Sequence, residues 1–125
     1  MKKKMLAVCL ALSLCVCLLS GVSFAAGDVT VHVTIADAGE LVLVNQPVKV
    51  TDINEDGALT ISDVLTAAHD LYYEAAEDAA DNGFVFTDEG FITKLWGVEN
   101  GGSYGYYLNH SAAMSLSDPV EEGDY

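Results

Sequence analysis

Hydrophobic and polar residues alternate along residues 28–36, which read DVTVHVTIA. A period of two places the two sets of side chains on opposite faces of an extended chain, so it predicts a half-buried strand. After a turn at residues 37–39, residues 40–50 predict a second strand. This strand is expected to be interrupted near residues 46–47, because the proline there suits an edge or a bulge.

From residue 60 the hydrophobic period changes to steps of three and four, which gives a helix with one apolar face. The residues on that face are Ile61, Val64, Leu65, Ala68, Leu71 and Tyr72. Thr60 and Asp63, three positions apart, have the form of a capping box and predict that the helix starts there. The helix is predicted to run to about residue 80 and to end at the Asp-Asn-Gly sequence of residues 81–83.

The second half of the chain predicts short strands. Residues 84–86 favour a short strand and residues 90–98 a longer one, and the Glu-Asn-Gly-Gly sequence of residues 99–102 is typical of a hairpin turn. Residues 103–109 are the predicted partner strand of that hairpin. In this strand Tyr107 faces one way and the residues Tyr104, Tyr106 and Leu108 face the other.

The order of strands, one helix and further strands predicts an α+β domain, in which the helix packs on one face of a mostly antiparallel sheet. Residues 119–125 predict a turn that leads into one more strand. We therefore expect the domain to be truncated at its C-terminus.

The first 25 residues have a different character from the rest. Three lysines at positions 2–4 precede an apolar run over residues 5–19, and small residues stand at positions 23 and 25. This is the pattern of a secretory signal peptide. The sequence thus predicts a secreted or cell-surface protein whose exported part is residues 26–125, and all three cysteines lie in the part removed.

The exported part is strongly acidic. The whole chain has a net charge of −14, and removal of the three leading lysines leaves only Lys49 and Lys94 against nineteen acidic residues. Binding to phosphates needs lysine and arginine, so nucleic acid and anionic lipid are excluded as partners. No later segment has the roughly 20 apolar residues of a membrane span, and none is expected in the exported part.

Residues 52–63, which read DINEDGALTISD, have the pattern of a calcium-binding loop. Side chains with oxygen atoms occupy loop positions one, three, five, nine and twelve, and Gly57 at position six permits the sharp turn. Position seven contributes its backbone carbonyl. The predicted Ca²⁺ ligands are Asp52, Asn54, Asp56, Ala58, Thr60 and Asp63.

Asp63 stands where such loops usually carry a bidentate glutamate. The shorter carboxylate predicts weaker binding, toward the roughly 10⁻⁴ to 10⁻³ M of extracellular modules. We interpret the site as structural, because a switching protein would pair two such loops. The alternative is that the polar residues form only a capped turn before the helix.

Two resemblances follow from these motifs. Residues 52–71 resemble one half of a dockerin repeat, in which a twelve-residue loop ending in aspartate leads into a helix. The motifs TISDVLTAA, KLWG, GYYLN and VEEGD, which begin at positions 60, 94, 105 and 120, resemble a secreted bacterial domain family likened to the C-terminal domain of transcobalamin. That resemblance implies a small β-grasp-like fold on a bacterial surface protein, and transcobalamin-type proteins hold a corrinoid against this domain.

The aromatic residues of the second half are candidate ligand contacts, because aromatic rings stack on sugars, peptides or a corrinoid. They are Trp96, Tyr104, Tyr106 and Tyr107, and the alternative is that they pack within the sheet. His32, His69 and His110 have no metal-ligand spacing and are predicted to lie at the surface. No nucleophile motif is present, so an enzyme is not expected.

These observations favour an exported, calcium-stabilised binding or adhesion module whose partner is an extracellular protein, a glycan or a small molecule. The alternative is a carrier domain that forms one wall of a pocket for a cobalamin-like cofactor or a glycan. A third class is an accessory domain of an enzyme.

Overall fold

A computed structural model describes residues 27–100 and 104–125, so the predicted signal peptide at residues 1–25 lies outside the described residues. Two strands, one helix and five short strands follow one another within those two ranges, and the strand pairs are antiparallel. The predicted α+β class is therefore confirmed. The elements are β1 (Val29–Asp37), β2 (Glu40–Val50), α1 (Ile61–Tyr72), β3 (Val85–Phe86), β4 (Ile92–Leu95), β5 (Val98–Glu99), β6 (Tyr107–Leu108) and β7 (Ser111–Ala112).

The hairpin of β1 and β2 follows the predicted alternation closely. Its two turn residues, Ala38 and Gly39, both have positive φ, as the turn between twisted strands requires. The predicted interruption of β2 near residues 46–47 is wrong, because the strand is continuous there and both residues pair with β1. The register shifts lie earlier, between Leu41 and Gln46, where Asn45 has a φ of +47°. Pro47 remains within the strand, paired with His32, and β2 is an edge strand of this two-stranded sheet.

The helix begins as predicted but ends earlier. Thr60 is the N-cap of α1, and the Asp63 carboxylate accepts its backbone N–H at 3.0 Å. The predicted extension to residue 80 is wrong, because α1 ends at Tyr72. Residues 74–81 carry several acidic side chains, which are unfavourable at the negative end of a helix dipole and have no apolar face to bury.

The predicted pairing in the second half is wrong within the described residues. The turn of the β4–β5 hairpin is Trp96-Gly97, and β6 pairs with β7 through the turn Asn109-His110, with positive φ at all four residues. Residues 104–106 lie outside any strand, and residues 101–102 of the predicted turn lie outside the described residues. The predicted alternation nevertheless holds: Tyr107 is exposed, whereas Tyr104, Tyr106 and Leu108 pack against the core.

The core lies where α1 packs on β1 and β2. The second half of the chain closes it with buried side chains from β4 and from the C-terminal segment, among them Ile92, Leu95, Leu116 and Val120. Over the described residues, no helix has the length and apolar character that a membrane crossing needs.

Replacing Gly97 by alanine is expected to destabilise the β4–β5 turn. A Cβ atom at this position would overlap the hydroxyl of Tyr73, and the φ of +75° is itself strained for alanine. Gly39, whose φ is +84°, has open space around it and is the matched control. We expect Gly97→Ala to lower the free energy of unfolding by about 1–2 kcal/mol more than Gly39→Ala, measured by urea denaturation. Equal losses would contradict the close contact.

Candidate functional site

The loop of residues 52–63 is curled around its own carboxylates. The two carboxylate oxygens of Asp52 accept the backbone N–H groups of Asp56 at 3.1 Å and of Gly57 at 2.7 Å. Glu55 and Gly57 have positive φ, of +59° and +87°, so the chain reverses within a few residues. Consequently the beginning and the middle of the loop lie close together.

The middle of the loop carries two further oxygen-bearing side chains that contact each other. The Asn54 amide donates to the Asp56 carboxylate at 2.9 Å, and the Asn54 carbonyl oxygen accepts the Asp56 N–H at 3.3 Å. The other Asp56 oxygen accepts the N–H of Ala58 at 2.9 Å. Asn54 and Asp56 are exposed, so their oxygens remain accessible from solvent.

Asp63 joins the two ends of the loop. One carboxylate oxygen accepts the backbone N–H of Ile53 at 3.0 Å, and the other accepts both the N–H and the hydroxyl of Thr60, at 3.0 and 2.9 Å. The residue is only 2% exposed. A single buried carboxylate therefore caps α1 and also fixes the start of the loop to its end.

The exit of the loop is held by the C-terminal segment. Leu59 and Ile61 form backbone hydrogen bonds with Val120 and Asp118, at 3.0 and 3.1 Å, and Thr60 forms a bridge with Pro119. These contacts join parts of the chain that are far apart in sequence. The loop is thus coupled to the closure of the core.

The six predicted ligands together offer three carboxylates, an amide oxygen, a hydroxyl and a backbone carbonyl. This is a set of hard oxygen donors, which Ca²⁺ prefers. In the structure, the carboxylates of Asp52, Asp56 and Asp63 accept hydrogen bonds from backbone N–H groups of the loop. Over residues 27–100 and 104–125, no three His, Cys, Asp or Glu side chains form a group arranged to hold a metal ion.

The aromatic candidates lie in two places. Tyr104, Tyr106 and Tyr107 line a groove of about 630 Å³ that also contacts β1 and α1. Trp96 does not line it. Its ring packs against His69 and Tyr73, with ring centroids 5.3 and 5.4 Å away. The structure thus brings the three tyrosines together and separates Trp96 from them.

Burial raises the pKa of both Tyr104 and Tyr106. For Tyr104 a hydrogen bond to Asp37 adds to this effect, and for Tyr106 the nearby charge of Asp118 does so. Both phenols therefore remain protonated at neutral pH. The Tyr104 hydroxyl donates to the Asp37 carboxylate at 2.9 Å.

His69 lies at the centre of the core, so the prediction of a surface histidine at this position is wrong. It is fully buried, with its ring stacked on Phe84 at a centroid distance of 5.2 Å. Its Nδ1 donates to the Leu65 carbonyl at 2.7 Å, and its Nε2 accepts the backbone N–H of Trp96 at 2.9 Å. These two bonds fix a neutral imidazole with the proton on Nδ1. The sequence does contain a signal for this burial. His69 lies four residues after Leu65 and next to Ala68, which places it beside the apolar face of the helix.

No family model, curated protein or solved structure matches the chain. Function is therefore inferred from the chemistry of the loop and the groove.

Proposed function

We propose that this chain is an exported binding or adhesion module with a β-grasp-like fold, stabilised by one structural Ca²⁺ ion. The signal-peptide pattern of residues 1–25 supports export. The observation that carries the calcium proposal is the buried Asp63 carboxylate, which already ties Ile53 to Thr60 at the two ends of the predicted loop. The groove lined by three tyrosines supports a binding role, because aromatic rings stack on ligands.

The residues that would hold Ca²⁺ are Asp52, Asn54, Asp56, Thr60 and Asp63 through their side chains and Ala58 through its carbonyl. When bound, the ion supplies positive charge to the loop. Asp52, Asp56 and Asp63 repel one another in its absence, and a divalent ion offsets that repulsion. Because the loop precedes α1 and is bonded to residues 118–120, stabilising it also stabilises the helix start and the closed core.

Calcium is expected to raise the melting temperature of the exported chain, residues 26–125. At ten times its Kd, an ion that binds only the folded state adds about 1.4 kcal/mol to the free energy of unfolding. For a domain of this size, that corresponds to a rise of roughly 5–10 °C. The measurement is differential scanning calorimetry with millimolar CaCl₂ against excess EDTA. Identical melting in both solutions, with no heat in a calcium titration, would refute the calcium site.

Neutralising one predicted ligand tests whether this loop is responsible. Asp56→Asn removes a charge at loop position five, whereas Glu55→Gln removes a charge from the neighbouring residue, which is not a predicted ligand; both side chains are exposed. We expect Asp56→Asn to weaken calcium binding by at least about tenfold in isothermal titration, and Glu55→Gln to change it little. Equal effects would indicate only general attraction by the acidic surface.

A second candidate function is that of a carrier domain, and the three tyrosines lining the groove favour it. In that case the groove forms one wall of a pocket for a cobalamin-like cofactor or a glycan. To test this candidate, cobalamin or oligosaccharides are titrated into the protein while the NMR signals of the groove tyrosines are monitored. Shifts of these signals would indicate binding in the groove. Trp96 is a less direct reporter, because it packs away from the groove.

A further inference from the structure

His69 joins α1 to the β4–β5 turn through a single nitrogen atom. Its Nε2 accepts the Trp96 N–H at 2.9 Å, while its Nδ1 donates to the Leu65 carbonyl at 2.7 Å. A protonated imidazole carries two N–H donors and has no acceptor. The bond between His69 and Trp96 therefore exists only while the ring is neutral.

The surroundings of the ring are unfavourable for a charged imidazole. The side chain is fully buried, and the centroids of the Tyr73, Phe84 and Trp96 rings lie 6.2, 5.2 and 5.3 Å from its own. A proton on Nε2 would point at the Trp96 N–H, so two donors would face each other. Because burial of a charge without a partner is costly, the closed arrangement accommodates the neutral ring and not the charged one.

The titratable groups on the α1 side of the ring are Asp70 and Tyr73. Among the described residues, Asp70 is the charged group that acts on His69, and its carboxylate also accepts the Asn82 amide at 2.7 Å. Burial lowers the pKa of His69, and the Leu65 carbonyl and Asp70 oppose this effect. The charge of Asp70 thus favours the protonated ring, although burial outweighs it.

The charged groups on the side of the turn are occupied with one another. Lys94 on β4 lies 2.9 Å from the Asp81 carboxylate and 3.7 Å from that of Glu99 on β5. The lysine charge is therefore offset by two carboxylates. Asp70 remains the charged residue whose removal is expected to change the titration of His69.

The turn that His69 holds is strained. Trp96 has a φ of +50°, which a bulky side chain rarely adopts, and Gly97 follows with a φ of +75°. Such a conformation persists only where the surrounding contacts hold it. The Gly97 N–H donates to the Gly83 carbonyl at 2.9 Å, and the Trp96 N–H depends on His69. Loss of the His69 acceptor would thus remove the hydrogen bond of the strained residue itself.

We propose that the contact between His69 and Trp96 is a pH-sensitive switch that opens the β4–β5 turn on acidification. Protonation of Nε2 replaces the acceptor with a donor, so Trp96 leaves its strained conformation and its indole ring moves into solvent. α1 keeps its separate packing on β1 and β2. The imidazolium formed is hydrated in the open state, which is why protons favour opening. This inference does not rest on the calcium loop.

The emission maximum of Trp96 measures the opening, because this is the only tryptophan of the chain. The exported chain is titrated from pH 8 to about pH 5 at a fixed calcium concentration. We expect a shift to longer wavelength with a midpoint below about 6.5, the value of an unperturbed histidine, while the far-UV circular dichroism of α1 stays unchanged. The NMR coupling across the hydrogen bond between the Trp96 nitrogen and His69 Nε2 should disappear over the same range.

Two variants assign the titration to His69. His69→Gln supplies an amide oxygen that can accept the Trp96 N–H but does not titrate, so the wavelength shift is expected to be lost. His32→Gln, at a half-buried position on β1, is the matched control and should leave the shift unchanged. Asp70→Asn keeps an oxygen for the Asn82 amide but removes the charge that favours the imidazolium, so it should move the midpoint to lower pH.

Several results would overturn the proposal. They are a wavelength shift that persists in His69→Gln, a midpoint that stays in place or rises in Asp70→Asn, and a coupling to Trp96 that survives to pH 5. A shift that coincides with loss of the α1 circular dichroism would show that the whole domain unfolds, and it would equally refute a local switch. A normal calcium response alongside any of these results leaves the calcium site standing.

Discussion

Replacing Asp63 by alanine is expected to lower the free energy of unfolding by about 3–5 kcal/mol in the absence of calcium. The carboxylate is 2% exposed and accepts hydrogen bonds from Ile53 and Thr60. Its removal deletes the helix cap, which contributes about 1 kcal/mol. It also leaves the amides it bound without their charged acceptor, each such bond being worth about 1.5–3 kcal/mol. Urea denaturation in EDTA measures this loss separately from any effect of the metal.

Asp63→Asn is the matched control, because it keeps one oxygen acceptor and nearly the same volume. We expect it to lose about half as much stability as the alanine variant. A loss below about 1 kcal/mol for Asp63→Ala would mean that the two ends of the loop are held by other contacts. In that case the Asp63 carboxylate would not be the main contact that joins the two ends of the loop.

The first half of the fold could be predicted because its signals are local. The alternation of residues 28–36 fixes β1, and the capping pair Thr60 and Asp63 fixes the start of α1. The end of α1 could not be located in this way. Alanine-rich residues after Tyr72 have helix propensity, but α1 stops at Tyr72, ahead of an acidic stretch that has no apolar face to bury.

The turns of the second half were misplaced because their sequences are not typical turn signals. The Glu-Asn-Gly-Gly sequence of residues 99–102 is a stronger hairpin signal than Trp96-Gly97. Trp96 nevertheless adopts a φ of +50°, since its backbone N–H is held by His69 and its ring packs beside Tyr73. Tertiary contacts thus outweigh local preference at this turn.

The loop and the groove also differ in how far they depend on local sequence. The loop is a continuous motif, so its residues could be identified from spacing alone. The groove depends on residues that are distant in sequence, such as His32 and Asp124, and no local pattern predicts their pairing. The tyrosines that line it were predicted as ligand contacts because they are aromatic. Their position beside β1 could be seen only in the structure.

His69→Leu is expected to lower the free energy of unfolding by about 2–4 kcal/mol at pH 7.5. Leucine has a similar volume but cannot accept the backbone N–H of Trp96, which the imidazole binds at 2.9 Å. A buried N–H donor left without an acceptor lowers the free energy of unfolding by about 1–3 kcal/mol. The stacking of the imidazole on Phe84 is lost as well. His32→Leu, in the extended backbone of β1 and half-buried, is the control, and the measurement is again urea denaturation.

The pH dependence of stability distinguishes a neutral, hydrogen-bonded imidazole at His69 from a side chain that contributes only by packing. Burial lowers the pKa of His69, although the Leu65 carbonyl and Asp70 act in the opposite direction. Because the folded pKa lies below the unfolded value of about 6.5, the unfolded chain takes up the proton first as the pH falls. The stability that His69 contributes is therefore complete above about pH 6.5 and decreases below it. The difference in stability between the native chain and His69→Leu should shrink on acidification, whereas a difference that grew would show that the folded protein prefers the charged imidazole.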